Sequence, residues 1–245
     1  MKIEAILTPA ELPALARRDL RDAACVVFDV LRATSTFVTA LHNGAKAIVP
    51  VPEIAEALAI RKKQPDVLLG GERDGVKIRA AQTGGIDFDL GNSPREYTAG
   101  KVRGRTIVST TTNGTRALRA CAGAKTVLAA SFLNLTATAE FIKKNQPAQV
   151  LLVCAGTREN TALEDVLAAG ALCEMLSGEF SDSAEIVRRV YAQAKPDLAG
   201  AVRLAENARR LLSLPELRDD VSFCMQRDTY PLVAKMEADG TVRAQ

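Results

Sequence analysis

The chain contains no tryptophan, only 4% aromatic residues and a single histidine. With so few rings, and no alternation of basic with aromatic side chains, it offers no platform on which bases could stack, so nucleic acid is not an expected partner. No apolar stretch approaches the ~20 residues that span a bilayer, which sets the membrane aside as well. Met1-Lys2-Ile3-Glu4 leads into a short strand-like run, without the longer apolar core of a secretory signal, so a cytoplasmic protein is expected. The five cysteines (Cys25, Cys121, Cys154, Cys173 and Cys224) form no Cys-x-x-Cys pair and sit in apolar patterns, as reduced core thiols do. The glycine-rich cradles for dinucleotides and triphosphates and the Gly-x-Ser-x-Gly elbow are also missing. His42 ends a helical pattern before Asn43-Gly44, where a histidine commonly serves as a helix C-terminal cation.

What is present is a chain of 245 residues, 47% hydrophobic and 25% charged, with a formal charge of +3. That is enough to bury a sizeable core, and without linker, repeat or low-complexity run it reads as a single domain over 1–245. Strand-like runs are expected near 3–7, 24–29, 47–51, 67–70, 106–110, 126–130 and 149–154. Helical patterns are expected near 33–43, 53–64, 94–100, 115–122, 135–145 and 163–177. Runs such as Val150-Leu151-Leu152-Val153-Cys154 are apolar at every position, as parallel strands covered on both faces are. The fold class is α/β, a mostly parallel sheet between helical layers. A helical hairpin is appended at about 181–214, from the patterns Ser183–Ala194 and Leu198–Leu212. A helix-like stretch at 220–227 and a returning strand within 230–236 follow.

Chemistry in such sheets gathers where strands end and helices begin. Asp29-Val30-Leu31-Arg32-Ala33-Thr34-Ser35-Thr36 supplies a carboxylate, a guanidinium and three hydroxyls at one such junction. Similar junctions are Gly71-Glu72-Arg73, Thr110-Thr111-Thr112-Asn113-Gly114-Thr115-Arg116 and Gly156-Thr157-Arg158, and together they point to one polyanion-binding cleft. Bland alternatives stand beside these readings: an Asp29–Arg32 ion pair, N-capping by Asn113 or Thr112, and a capping box from Thr161 to Glu164. Asn92-Ser93-Pro94-Arg95-Glu96 likewise reads as a capped helix start, with Asn92 kept as a ligand contact. Leu31 stands where a haloacid-dehalogenase-like phosphatase needs its second aspartate, and Cys154 lies too close to Arg158 for a phosphocysteine loop.

These segments, with Asp89-Leu90-Gly91-Asn92-Ser93-Pro94, Leu163-Glu164-Asp165 and a weaker Asp220-Val221-Ser222-Phe223-Cys224, resemble in order the 2-phosphosulfolactate phosphatase (ComB) family. The resemblance implies a magnesium-dependent phosphatase with an α/β/α sandwich, a homodimer, acting on a small anionic phosphorylated substrate. Its name reaction converts 2-phosphosulfolactate to 3-sulfolactate and phosphate, a step of coenzyme M biosynthesis. This chain departs from the family pattern between Lys77 and Asp87, where the loop is longer, so a related phosphorylated 2-hydroxy acid is also admitted as substrate. On this reading Asp29, Glu72, Arg32 and Arg116 are catalytic, and Mg²⁺ is held among Asp29, Glu72, Glu164 and Asp165. Thr34, Ser35, Arg73, Asn92, Thr111, Thr112, Asn113, Gly114, Thr115 and Arg158 bind substrate. The alternative is a non-catalytic sensor of phosphorylated or sulfonated carboxylic acids, with a phosphotransferase as a third reading.

Overall fold

The computed structural model describes residues 1–245 throughout. Eleven strands run in chain order as β1 (Lys2–Ile6), β2 (Ala23–Phe28), β3 (Ala47–Pro50), β4 (Leu68–Arg73), β5 (Val76–Lys77), β6 (Thr106–Thr110), β7 (Thr126–Ala130), β8 (Gln149–Cys154), β9 (Glu179–Phe180), β10 (Ala234–Met236) and β11 (Val242–Ala244). They form one sheet in the order β5-β4-β6-β3-β11-β10-β7-β2-β8-β1-β9. Two parallel blocks, β4-β6-β3 and β7-β2-β8-β1-β9, are joined by the antiparallel hairpin of β10 and β11.

Along strand β2, Val26 and Phe28 enter the core on one face, Cys25 and Val27 that on the other. The first core packs under helices Leu135–Asn145, Leu163–Cys173 and Asp182–Ala194, and the second under Ala33–His42 and Gly114–Ala120. A smaller cluster seats helix Ile54–Lys63 on β4 and β6 through Ala57, Leu69 and Val108. This is the three-layer α/β/α arrangement, and no helix is long and apolar enough to cross a membrane. All five cysteines are free and buried.

The inserted hairpin governs where the strand ends meet. Three antiparallel pairings separate β7 from β3, so the two parallel blocks run in opposite senses along the ladder. In a flat sheet β6 and β8, six strand spacings apart, would lie about 29 Å from one another, with their carboxyl ends at opposite edges. Yet the Asn113 amide, three residues beyond β6, donates to Ala155 O, next after β8, at 2.8 Å. Twist of roughly 20–25° per strand accumulates to roughly 130° over six steps, enough to swing the opposed block toward the same end. The sheet therefore coils, and helix Ala33–His42 packs across its middle strands β3, β11, β10 and β7 with Ala33 to Leu41 all buried.

A ten-residue helix with no exposed face must satisfy its own hydroxyls. Thr34 Oγ1 accepts from Asp29 N, Ser35 Oγ donates to Val30 O, Thr36 Oγ1 donates to Asn92 O and Thr39 Oγ1 to Ser35 O, all within 2.8–3.0 Å. Beyond residue 180 the pattern Leu198–Leu212 is two helices, Leu198–Arg203 and Glu206–Leu212. The break at Leu204-Ala205 lets Val202, Ala205, Ala208 and Leu211 all reach the first core. The 94–100 pattern is likewise a 3₁₀ turn, Pro94–Glu96, followed by a short helix, Ala99–Val102.

Candidate active site

The four junctions meet in one cleft with a single hydrophobic residue, Leu31, in its wall. Asp29, Arg32, Glu72, Asn92, Thr112, Asn113 and Arg158 line it, together with Asp74, Gly75, Gly156, Thr157, Asn207 and Arg210. Asp29 follows β2 and is 8% exposed. Its Oδ1 accepts from Ala33 N at 3.0 Å, while Oδ2 makes no hydrogen bond and faces Gly114. Burial pushes the Asp29 carboxyl up to about 7, against the lowering effect of the Ala33 N–H; the charges of Glu72 and Glu164 add to the rise and Arg32 opposes it.

Glu72 is fixed from three sides. Its Oε1 accepts from Thr112 N at 2.8 Å and Thr112 Oγ1 at 3.0 Å, and its Oε2 from Gly75 N at 2.7 Å. These bonds tie the end of β4 to the loop after β6. The same closeness explains Gly71, with φ +140, where any side chain would collide with Thr110 O. Asn113 holds the loop after β8 through Ala155 O and Arg158 O, each at 2.8 Å.

Arg32 is 3% exposed, with Nη1 donating to Asp220 Oδ2 at 2.8 Å and Nη2 to Gly75 O at 2.5 Å. Asp220, wholly buried, also accepts from Ser93 Oγ and Arg95 Nε. The alternative of an Asp29–Arg32 ion pair is not formed; the partner of Arg32 lies 188 residues along the chain.

Several expected site residues lie elsewhere. Arg73 follows Glu72 on the same strand, so their side chains leave opposite faces; the guanidinium bonds Glu72 O, Pro52 O and Thr110 Oγ1. Arg116 turns outward to an exposed pair with Glu159 at 3.0 Å and is not in the cleft wall. Thr111 and Thr115 are spent on each other at the start of helix Gly114–Ala120: Thr111 Oγ1 accepts from Thr115 N and Thr115 Oγ1 donates to Thr111 O. Thr34 and Ser35 are committed to the backbone of the Asp29 turn. Gly114 reaches no ligand space, but a Cβ there would sit 2.6 Å from Asp29 Oδ2.

Glu164 and Asp165 do not reach the cleft wall. Asp165 is a clamp whose Oδ1 accepts from Val30 N at 2.8 Å and Oδ2 from Gly156 N at 3.0 Å, joining the loops after β2 and β8. Burial holds its carboxyl well above the usual carboxylate range. Glu164 makes no capping box; its Oε1 accepts from Asn207, and Oε2 is buried without a partner. Burial, opposed by the Asn207 amide, raises its proton affinity.

No three acidic, histidine or cysteine side chains gather closely enough to hold an ion by themselves. The carboxylates in the cleft wall are those of Asp29, Glu72 and Asp74, however, and Asn92 in the same wall has an Oδ1 that is buried with no partner. That set suits a hard cation that takes one or two carboxylates and completes its shell with water and substrate oxygens.

Asn207, Arg210, Asp74 and Gly75 were not anticipated. Asp74 and Gly75 form a left-handed turn (φ +51 and +79) directly after the Gly-Glu-Arg segment, and the Asp-Gly dipeptide there was a readable signal. Asn207 and Arg210 sit on a polar helix face that nothing in the chain ties to the strand ends.

Fold and site thus define a class: a coiled α/β protein whose strand ends build an oxygen- and guanidinium-lined cleft for a small polyanion. The family model described as 2-phosphosulpholactate phosphatase matches residues 7–239, and the chain belongs to that family. It is similar to a probable 2-phosphosulfolactate phosphatase of Caldanaerobacter subterraneus subsp. tengcongensis, 40% identical over 232 residues and 92% of each chain. A probable 2-phosphosulfolactate phosphatase of Thermotoga petrophila is 43% identical over 209 residues, 85% of this chain and 86% of that one. One of Clostridium acetobutylicum is 36% identical over 239 residues, 95% and 96% of the two chains.

Proposed function

We propose that the chain is a Mg²⁺-dependent phosphatase that hydrolyses 2-phosphosulfolactate, or a closely related phosphorylated 2-hydroxy acid, to 3-sulfolactate and phosphate. The observation that carries this reading is the meeting of Asp29, Glu72 and Arg32 in one polar cleft built from the ends of separate strands. The same reading has the enzyme working in the cytoplasm as a homodimer, on a small anionic substrate.

Glu72, oriented by Thr112 and Gly75, and the unpartnered Asn92 oxygen would hold the ion. When bound, Mg²⁺ supplies positive charge for the phosphoryl oxygens. Asp29 serves as the base: its Oδ2 is free, and a proton affinity near neutrality suits a group that must take a proton from water and later release it. The water oxygen bonds to phosphorus as the ester P–O bond breaks, and the electron pair leaves with the alkoxide oxygen, which is then protonated. Arg32, locked by Asp220 and Gly75, stands ready to stabilise charge on the phosphoryl and departing oxygens without reorganising.

Phosphate release from 2-phosphosulfolactate, with Mg²⁺ and with chelator, tests the proposal. Asp29→Asn should lose turnover and keep Mg²⁺ affinity, whereas Glu72→Gln should lose both. Turnover that persists in chelator, or in Asp29→Asn, would overturn it.

A further inference from the structure

Helix Glu206–Leu212 belongs to none of the strand-end loops, yet Asn207 and Arg210 both reach the cleft wall. The Asn207 amide is fully engaged. Its Nδ2 donates to Glu164 Oε1 at 2.8 Å and to Thr157 Oγ1 at 2.7 Å, and its Oδ1 accepts from Arg210 Nη2 at 3.1 Å. Glu164 itself is 1% exposed. A buried carboxylate therefore holds an amide, and the amide holds a guanidinium at the cleft.

That guanidinium is otherwise idle. Arg210 joins no ion pair, and its Nε is buried with no acceptor. Arg158, on the same wall with φ +55, makes no side-chain hydrogen bond or ion pair. Arg32 differs, being neutralised by Asp220. A buried donor without an acceptor is costly, and neither guanidinium is tied up in an ion pair. An anion lying against them would supply the missing acceptors. Arg210 also lies over the Gly75 turn, where a Cβ would come within 3.2 Å of its Cζ, and the same Gly75 donates to Glu72. The idle guanidinium is thus one turn away from the proposed phosphate end.

We propose that Arg210 is a specificity-determining residue that receives a second acidic group of the substrate, a sulfonate, while Asn207 positions it and Glu164 anchors Asn207. A planar guanidinium matches a sulfonate with paired N–H donors, which a lysine cannot reproduce. The proposal rests on the phosphatase reading for its substrate. The arrangement also gives Glu164 a role without metal.

The test compares wild type with Arg210→Gln, Arg210→Lys, Glu164→Ala and Glu164→Gln on 2-phosphosulfolactate and on 2-phospholactate, which lacks the sulfonate. Direct calorimetric binding of 3-sulfolactate and of lactate accompanies it. Arg210→Gln should raise KM for 2-phosphosulfolactate and weaken 3-sulfolactate binding by about 30-fold or more, with kcat little changed. On 2-phospholactate it should change kcat/KM less than about threefold, and Arg210→Lys should recover only part of the loss. Glu164→Ala, which removes the acceptor of Asn207, should raise KM for 2-phosphosulfolactate while keeping Mg²⁺ affinity, and Glu164→Gln, whose oxygen can still accept from Asn207, should recover most of that loss. Equal losses on both substrates, or 3-sulfolactate binding indifferent to Arg210→Gln, would overturn the subsite. A wild type that binds 3-sulfolactate through Arg210 but releases no phosphate would sink the phosphatase reading and leave the subsite standing.

Discussion

Replacing Gly114 by alanine isolates the geometry of the proposed base. Gly114 opens helix Gly114–Ala120, where alanine is intrinsically the better helix former by up to about 1 kcal/mol, so propensity alone argues for a gain. Packing argues otherwise. The new Cβ would stand 2.6 Å from Asp29 Oδ2 and 2.7 Å from Ala33 Cβ. Neither neighbour can yield cheaply, because Asp29 is bonded to Ala33 N at 3.0 Å and Ala33 belongs to a helix buried from Ala33 to Leu41. Overpacking of this kind costs about 1–3 kcal/mol, so the net destabilisation should be no more than about 3 kcal/mol. For a chain of this size that lowers Tm by up to about 12 °C. Activity should suffer far more: to reach ordinary contact the carboxylate must move by about 1 Å, and displacement of a reacting group by that much costs on the order of 100-fold. Steady-state phosphate release and thermal denaturation of Gly114→Ala measure the two effects. A well-folded variant with kcat within threefold of wild type would refute the reasoning, since it would mean that the Asp29 position is irrelevant to turnover.

Asp165→Asn should be destabilised by about 2–3 kcal/mol, because an amide cannot accept from both Val30 N and Gly156 N; Tm measures it, and an unchanged Tm would remove the clamp. With chelator present, the folded state binds a proton at Asp29 more tightly than the unfolded chain, since its value rises from 3.8 to about 7. The stability this confers is complete below pH 4 and is lost as pH rises through 7. Metal-free Asp29→Asn should therefore be more stable than wild type at pH 8, by up to about 4 kcal/mol. That advantage should shrink to nothing near pH 4, and a pH-independent difference in denaturant titrations would contradict it. Arg116→Ala removes an exposed pair worth less than about 1 kcal/mol and should leave kcat/KM within twofold; a large loss would return Arg116 to the chemistry.

The strand and helix runs were readable because buried parallel strands are apolar at every position and the helices between them are periodic. Of the hairpin, β10 falls within the strand expected at 230–236, whereas β11, three residues that include Arg243, was not readable, and the hairpin's place in mid-sheet is a matter of topology. The site was legible at the strand ends, where function concentrates polar residues. At Glu72 and Arg73 the expected and observed placements part because neighbouring strand residues leave opposite faces. Asp165 was expected among the metal carboxylates because its actual partners are backbone N–H groups, which carry no side-chain signature. Asn207 and Arg210 escaped for a related reason: Asn207 finds Glu164 and Thr157 43 and 50 residues back along the chain, and Arg210 is held in the cleft wall only through Asn207.

Crystals grown with Mn²⁺ in place of Mg²⁺ and soaked with 3-sulfolactate and phosphate, analysed by anomalous diffraction, test the central claim most directly. One ion should contact Glu72 inside the cleft, with phosphate beside Arg32 and Asp29 and the sulfonate on Arg210. An ion seated on Glu164 and Asp165, or ligand bound outside this cleft, would contradict it.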